Sequence, residues 1–188
     1  DLFFFFLKHT AIVTFFFYFG FGAVAPLTPA FCFYLGIKNK GIYFMVFTIF
    51  SILVRFVAGK LSDRQGRIPV TIIGCLFLVF SLFLTGYATT VFLFLAGGAF
   101  FGIAMGILSP VLSAWTVDLS SDHNRGRSIA SMYIALEAGI GIGAFLSAAI
   151  FSNQRANMPW AFYAMGAFAL AGLLYTVALH FRMKGEKV

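Results

Sequence analysis

Residues 59–69 read GKLSDRQGRIP and form a charged interruption between two long apolar stretches. Gly59 permits close packing at a helix end, and Gly66 tolerates a turn with positive φ. Asp63 is placed to accept backbone N–H bonds or to pair with a cation. The two arginines, Arg64 and Arg67, are suited to helix-end carbonyls, acidic side chains or lipid phosphate. A simple basic loop would not need this spacing of Gly and Asp, so the segment predicts a specific structured turn.

The sequence on either side of this turn is extremely apolar. Of 188 residues, 61% are hydrophobic and 10% are charged, and the mean hydropathy is +0.97. A soluble domain needs about 25% charged residues to cover its surface, and a disordered chain needs even more, so both classes are excluded. A membrane-spanning helix needs roughly 20 mostly apolar residues. Six stretches qualify and predict an all-α membrane protein, with helices at approximately 11–35, 41–58, 70–87, 91–117, 128–151 and 159–181.

The distribution of Lys and Arg predicts the orientation of these helices. Six spans put both termini, the second loop and the fourth loop on one side. That side carries nine basic residues, whereas the opposite side carries only Lys38, Lys40 and Arg155. Because basic residues concentrate in cytoplasmic loops, we expect both termini in the cytoplasm and the protein in a bacterial inner membrane. The net charge of +7 mostly reflects this asymmetry, and it does not indicate nucleic-acid binding, which needs a basic soluble face.

A short pattern recurs in the first and fourth predicted helices. Gly22 precedes Pro26 and Gly106 precedes Pro110, each four residues apart. The two helices cross the membrane in opposite directions, so the recurrence predicts a 3+3 inverted repeat with kinks or close packing at these positions. Glycines four apart let another helix approach, and Gly98, Gly102 and Gly106 have that spacing. We therefore expect the Gly-rich fourth and fifth helices to be buried, and the third and sixth to face lipid.

The interruption at 59–69 resembles the G-x3-D-R-x-G-R signature of the major facilitator superfamily of secondary transporters. In that family the signature follows the second helix of a six-helix half, and here it follows the second of six helices. The resemblance implies one half of a major-facilitator fold, with the signature as a conformational gate that does not touch substrate. The gate residues it implies are Gly59, Asp63, Arg64, Gly66 and Arg67, together with Arg55 just before them.

The fourth loop ends in Arg125-Gly-Arg127, which also resembles this superfamily. We expect these two arginines to pair with Asp63, Asp118 or the partner half. The fifth helix reads Glu137-Ala-Gly-Ile-Gly-Ile-Gly143, without the prolines that mark the fifth helix of proton-driven antiporters. This run is similar to the eleventh helix of bacterial sugar- and drug-efflux members. Together with the missing initiator Met and the short C-terminal tail, it favours the C-terminal half.

Two charged residues lie inside predicted spans. Glu137 is nine residues into the fifth predicted helix, close to the membrane midplane, where a carboxylate costs about 2.5 kcal/mol or more unless it faces a cavity, finds a partner or takes up a proton. It is the candidate proton carrier or site for a cationic substrate, although a bond to a neighbouring helix is an alternative. Arg55 is expected to snorkel to the headgroups or to bond to the fourth or fifth helix.

These features predict secondary active transport of a small molecule by alternating access. The expected partners are a proton or other coupling ion, the lipid bilayer and the other six-helix half, with efflux of drug-like or sugar-like solutes favoured. A non-transporting membrane scaffold is the alternative. An enzyme is not expected, because no nucleophile–His–acid set can be assembled. No cofactor or metal is expected either, because Cys32 and Cys75 are isolated in apolar runs and form no ligand cluster.

Overall fold

The structure, a computed structural model, describes residues 2–185, and all regular structure within them is helical. The six long helices are α1 (Leu2–Tyr34), α2 (Ile42–Gln65), α3 (Arg67–Tyr87), α4 (Val91–Asp118), α5 (Arg125–Phe151) and α6 (Met158–Gly185), with a single 3-10 turn at Arg155–Asn157. Each helix is long and apolar enough to cross a membrane. The predicted all-α membrane fold is therefore confirmed.

Several helix ends differ from the sequence prediction. The segment 2–10 belongs to α1. The predicted loop at 60–69 is wrong, because α2 continues to Gln65 and α3 begins at Arg67. Only Gly66 lies between them, with φ of 91° and ψ of 159°, a backbone conformation that is essentially restricted to glycine. The polar side chains of residues 60–65 indicated a loop, although they continue α2. Pro69 is compatible with α3 because proline is tolerated in the first turn of a helix.

The helices pack in a definite neighbour order. α1 packs mainly against α5, and α2 packs mainly against α4. α3 lies against α4 and α6, and α6 also lies against α1. Exchanging the first three helices for the last three leaves this set of pairings in place, as a 3+3 repeat requires; the repeat itself stays a prediction. The two ends of the bundle are named here by their contents. The "termini end" holds residues 2, 65–67, 118–125 and 185, and the "far end" holds 35–41, 88–90 and 152–157.

Backbone contacts at glycine define the two main helix pairs. A Cβ added at Gly102 would lie 2.3 Å from the Phe47 carbonyl oxygen of α2, and one at Gly106 would lie 2.6 Å from that of Ser51. On the other side, one at Gly22 would lie 2.3 Å from the Ile140 carbonyl oxygen of α5. The predicted glycine stripe on α4 thus packs against α2. Gly22 and Gly106 are packing positions, and α1 and α4 remain continuous helices through Pro26 and Pro110.

Burial within this half is distributed unevenly among the helices. In α1, 56% of the most apolar window is buried, and the values for α3 and α4 are 50%. The same measure is 17% for both α2 and α5. Within these six helices alone the fifth helix is therefore less buried than the third, and the expectation that a complete bundle buries the fifth helix and leaves the third to lipid stays a prediction. Glycine allows α5 to approach α1 along one narrow side only, and the rest of α5 stays uncovered by this chain.

Candidate functional site: an ionic cluster and an uncovered polar face

An ionic cluster at the termini end joins three helices. Arg67, the first residue of α3, donates from Nη1 to Asp63 Oδ1 and from Nε to Asp118 Oδ2, and both distances are 2.6 Å. The same Nη1 donates to Ser62 Oγ at 2.9 Å. One guanidinium thus connects the last turn of α2 to the last residue of α4. Two carboxylates against one guanidinium leave these side chains with a net charge of −1.

The helix dipoles work against the positions of these charges. Asp63 and Asp118 lie at the C-terminal ends of α2 and α4, where the dipole is negative, and Arg67 lies at the positive N-terminal end of α3. Each such placement costs about 0.3–1 kcal/mol when exposed. The pairing offsets this cost. The Asp63 side chain is 64% exposed and that of Asp118 is 49% exposed, so the cluster remains accessible to water and can be broken.

The other residues of the predicted gate take different positions. Arg64 and Arg55 lie exposed on α2, and a Cβ at Gly59 would meet nothing within 4 Å. The expected close packing at Gly59 is therefore absent among the described residues. Gly66 has the positive φ that the sequence predicted. Because α2 extends to Gln65, Arg55 lies about 15 Å from its end, deeper than the sequence implied.

Within the described part of the chain, Arg125 and Arg127 pair with neither Asp63 nor Asp118, and a contact with the partner half stays a prediction. Arg125 Nη2 donates to Asp122 Oδ1 at 2.9 Å, three residues before it. Arg127 is exposed, and both arginines belong to the first turn of α5 and not to a loop. Arg67 instead pairs with both Asp63 and Asp118, because the start of α3 lies between the ends of α2 and α4. Sequence reasoning missed Ser62 altogether and connected Asp118 to the wrong arginine.

A second polar set lies at mid-depth of the bundle, between α1, α2, α4 and α5. The Tyr18 hydroxyl of α1 interacts with the Ser109 side chain of α4, and Arg55 and Tyr133 are close enough to interact electrostatically with it. Tyr133 is 52% exposed. Glu137 follows one helical turn later on α5, and it is also exposed. We call these five residues the polar face.

Glu137 occupies the side of α5 that the other five helices leave uncovered. Ile134 and Phe145 on the same side are 71% and 72% exposed, and a Cβ at Gly141 would meet nothing within 4 Å. Glu137 lies about 18 Å from the start of α5, still near its middle although the helix begins earlier than predicted. Within residues 2–185 its carboxylate has no hydrogen bond or ion pair, so the described structure does not supply the alternative, a bond to a neighbouring helix.

The comparison with known sequences decides the family. A sequence model of the Major Facilitator Superfamily matches residues 10–188. The chain belongs to this superfamily. Membership places it in a family of transporters and not of enzymes. Among the described residues no group of His, Cys, Asp and Glu could hold a metal ion.

Curated relatives of this superfamily member are bacterial transport and resistance proteins. Multidrug resistance protein 1 of Bacillus subtilis is 30% identical over 164 residues, which cover 84% of this chain and 40% of that protein. The glucose transport protein of Synechocystis is 32% identical over 129 residues, 67% of this chain and 27% of that protein. Quinolone resistance protein NorA of Staphylococcus aureus is 22% identical over 166 residues. The chain thus spans less than half the length of the curated relatives it matches.

Solved structures share the fold of the chain. A crystal structure of the peptide transporter POT superposes with a TM-score of 0.79 at 16% identity, covering 92% of this chain and 37% of that one. The human organic anion transporter MFSD10 gives 0.74 at 21% identity, covering 91% of this chain and 46% of that one. At these identities the likeness concerns the fold alone. In both comparisons six helices match a part of a longer chain, as one half of a major-facilitator fold would.

Proposed function

We propose that this chain is the C-terminal six-helix half of a secondary transporter that exports small organic molecules by alternating access, coupled to protons. One observation carries the proposal: the polar face lies on the side of the bundle that its own helices leave uncovered. An isolated polar set facing lipid would be costly. Two relatives are named for multidrug resistance and quinolone resistance, which supports efflux of drug-like solutes. A third is named a glucose transport protein, so sugar-like solutes are the second proposed class of substrate.

The proposed partner is the other six-helix half, which covers the exposed sides of α2 and α5. Large apolar side chains dominate these sides; Phe56 on α2 is 75% exposed and Phe145 on α5 is 72% exposed. With the partner in place, the polar face lines a cavity at the interface, where intramembrane charges are tolerated. Rocking of one half against the other then exposes that cavity to each side in turn.

The proposed orientation puts the termini end in the cytoplasm of a bacterial inner membrane, because eight of the twelve basic residues within 2–185 lie toward that end. The ionic cluster then acts as a cytoplasmic gate. Its surplus negative charge attracts a basic group of the partner half when the cytoplasmic side is closed. Exposed ion pairs are individually worth about 0–1 kcal/mol, so such a contact can form and break in each cycle.

Substitution of Asp63 tests the gate. In the full-length transporter, Asp63→Asn removes the charge that pairs with Arg67 but keeps the side-chain shape. The exposed pair is worth only about 0–1 kcal/mol to stability, so we expect normal membrane insertion, whereas loss of the charge at the gate should lower transport severalfold. Asp122→Asn, which disturbs only the local pair with Arg125, is the matched control. Normal transport by the Asp63 variant would contradict the gate assignment.

Substitution of Glu137 tests coupling. Glu137→Gln keeps size and hydrogen bonding but cannot exchange a proton, whereas Glu137→Asp can. In proteoliposomes with an imposed pH gradient, we expect the Gln variant to lose gradient-driven accumulation and the Asp variant to retain part of it. Unchanged pH dependence in the Gln variant would remove Glu137 as the proton site. Absence of any substrate flux by the wild-type full-length protein would favour a non-transporting scaffold that keeps the fold.

A further inference from the structure

A pocket at the far end of the bundle has no part in the proposed cycle. It has a volume of about 200 Å³ and lies where the end of α1, the α3–α4 connection and the start of α6 meet. None of its lining residues belongs to α2, α4 or α5, so a partner covering the exposed sides of α2 and α5 leaves it open. The lining residues that matter here are Phe31, Tyr34, Leu35, Thr89, Arg155 and Met158.

The base of this far-end pocket is rigid and apolar. Phe31 is 6% exposed, and its ring stacks on Phe94 with centroids 4.8 Å apart and planes 1° from parallel. Phe162 packs edge-on against Phe31 at 5.8 Å, and Met158 is buried. Aromatic pairs of this kind stabilise the packing beyond the area they bury. The base therefore offers a preformed apolar surface to one small ring or short chain.

A single cation lies at the pocket rim. The Arg155 guanidinium carbon is 5.7 Å from the centre of the Tyr34 ring, within the range of a cation–π contact. No hydrogen bond among the described residues uses the guanidinium N–H donors of Arg155, and these donors match the geometry of a planar anion. Thr89 also lines the pocket. The rim is thus suited to a carboxylate or phosphate oxygen.

The turn before Arg155 carries backbone strain. Ser152 and Asn153 have φ of 45° and 56°, two consecutive left-handed residues, neither of which is glycine. Such residues cost energy and persist only where the surrounding structure holds them, often at ligand-binding positions. Here the turn is closed by the bond from Gln154 N to the Phe151 carbonyl oxygen at 2.9 Å. It turns the chain back so that Arg155 comes to lie over Tyr34.

The far end has cations without acidic partners. Its segments 35–41, 88–90 and 152–157 contain Lys38, Lys40 and Arg155 but no Asp or Glu. No described acidic side chain pairs with Arg155, so a bound anion would meet no competing carboxylate of these segments. We propose that the pocket binds a small amphipathic anion, with its charged group at Arg155 and its apolar body on Phe31 and Leu35. The volume suits a single aromatic ring with a carboxylate, or the phosphate and first chain atoms of a lipid.

Matched probes of one shape test this site. The full-length protein is placed in phosphatidylcholine nanodiscs, and saturation-transfer NMR measures binding of benzoate, benzyl alcohol and benzylamine. We expect benzoate to bind saturably and at least tenfold more tightly than the other two. Arg155→Gln should weaken benzoate at least tenfold, while Lys38→Gln, which removes another far-end cation outside the pocket, should leave it unchanged. Equal binding of the three probes, or full benzoate binding to the Arg155 variant, would overturn the proposal.

A second arm distinguishes the source of the anion. With phosphatidylglycerol in the nanodisc, displacement of benzoate that depends on Arg155 identifies a lipid phosphate as the occupant. Benzoate binding that is the same in both lipids identifies a soluble amphipathic anion. If no probe binds and no phosphatidylglycerol is retained through Arg155, the pocket is not an anion site. All of these measurements are of binding, so they are independent of whether transport is detected.

Discussion

At the scale of single residues, Arg67 links the helix ends that meet at the termini end. It is the only one of the three charges in the ionic cluster whose side chain is mostly covered, at 21% exposure, and it contacts two carboxylates at once. Because all three charges oppose their helix dipoles, the cluster contributes little to stability. A weak, exposed cluster of this kind fits the proposed gate, whose contacts must form and break in each cycle.

This predicts a dissociation between stability and transport for Asp118. Asp118→Asn removes one of the two carboxylates on Arg67 but leaves a side chain that accepts from it. Because the pair is exposed, we expect the free energy of unfolding of the full-length protein to change by no more than about 1 kcal/mol, which thermal unfolding measures. Transport should fall severalfold. Transport by the Asp63→Asn, Asp118→Asn double variant should be reduced by less than the product of the two single reductions, because both substitutions act through Arg67. Multiplicative effects would mean that the two acids act separately.

The sequence predicted part of this cluster and missed the rest for a physical reason. Asp63 and Arg67 are four residues apart, and their role came from a local pattern. Asp118 is 51 residues from Arg67, so their contact depends on how α3 packs against α4. Tyr18 and Ser109, also distant in sequence, meet for the same kind of reason. Hydrophobic periodicity and residue spacing predict the structure of one helix at a time, so they do not predict contacts between side chains of different helices.

At the scale of elements, glycine sets the helix pairs. α4 touches the backbone of α2 through Gly102 and Gly106, and α5 touches that of α1 through Gly139 and Gly143. The α4 stripe was predictable from its four-residue spacing, but its partner helix was not. The ends of α2 and α5 were also missed, because polar residues continue a helix as readily as apolar ones when packing or water satisfies their side chains.

This predicts a sharp difference between glycines. Gly102→Ala forces a Cβ to within 2.3 Å of a backbone oxygen, so α2 and α4 must separate, and we expect a loss of about 1–3 kcal/mol. Gly141→Ala meets nothing within 4 Å and should leave stability unchanged or slightly raised, because alanine favours helix. Thermal unfolding of the detergent-solubilised full-length protein measures both. Equal melting temperatures would show that the α2–α4 contact is looser than described.

At the scale of the whole molecule, the six helices form a closed hydrophobic core but leave large apolar side chains exposed, above all on two of the helices. Phe17, Phe94, Phe101 and Phe162 are almost entirely buried, whereas α2 and α5 present broad uncovered sides. In the proposed transporter these two helices face the other half and the cavity, and α3 and α6 present their exposed residues to lipid.

Thiol labelling of the full-length transporter checks this arrangement. Ile134 on α5 is 71% exposed and Leu174 on α6 is 61% exposed, so the two are matched in exposure. A water-soluble thiol reagent needs the thiolate, which forms in an aqueous cavity and not in lipid. We expect the Ile134→Cys variant to be labelled, at a rate that changes severalfold with substrate, and the Leu174→Cys variant to stay unlabelled. Cys32 and Cys75 of this half are both buried, and labelling of the unsubstituted full-length protein gives the background to subtract. Identical behaviour would contradict the assignment of faces.

The pairing of α1 with α5 also determines how the chain is assembled during synthesis. α1 ends at Tyr34 and α5 begins at Arg125, so roughly 90 residues must be translated before the main neighbour of α1 exists. At about 5–20 residues per second, α1 waits some 5–20 s beside the translocon without it. During that interval Gly22 presents an open notch to lipid or to a chaperone. The order in which helices leave the ribosome is therefore not the order in which they pack, and assembly of this half is completed only by its last helices.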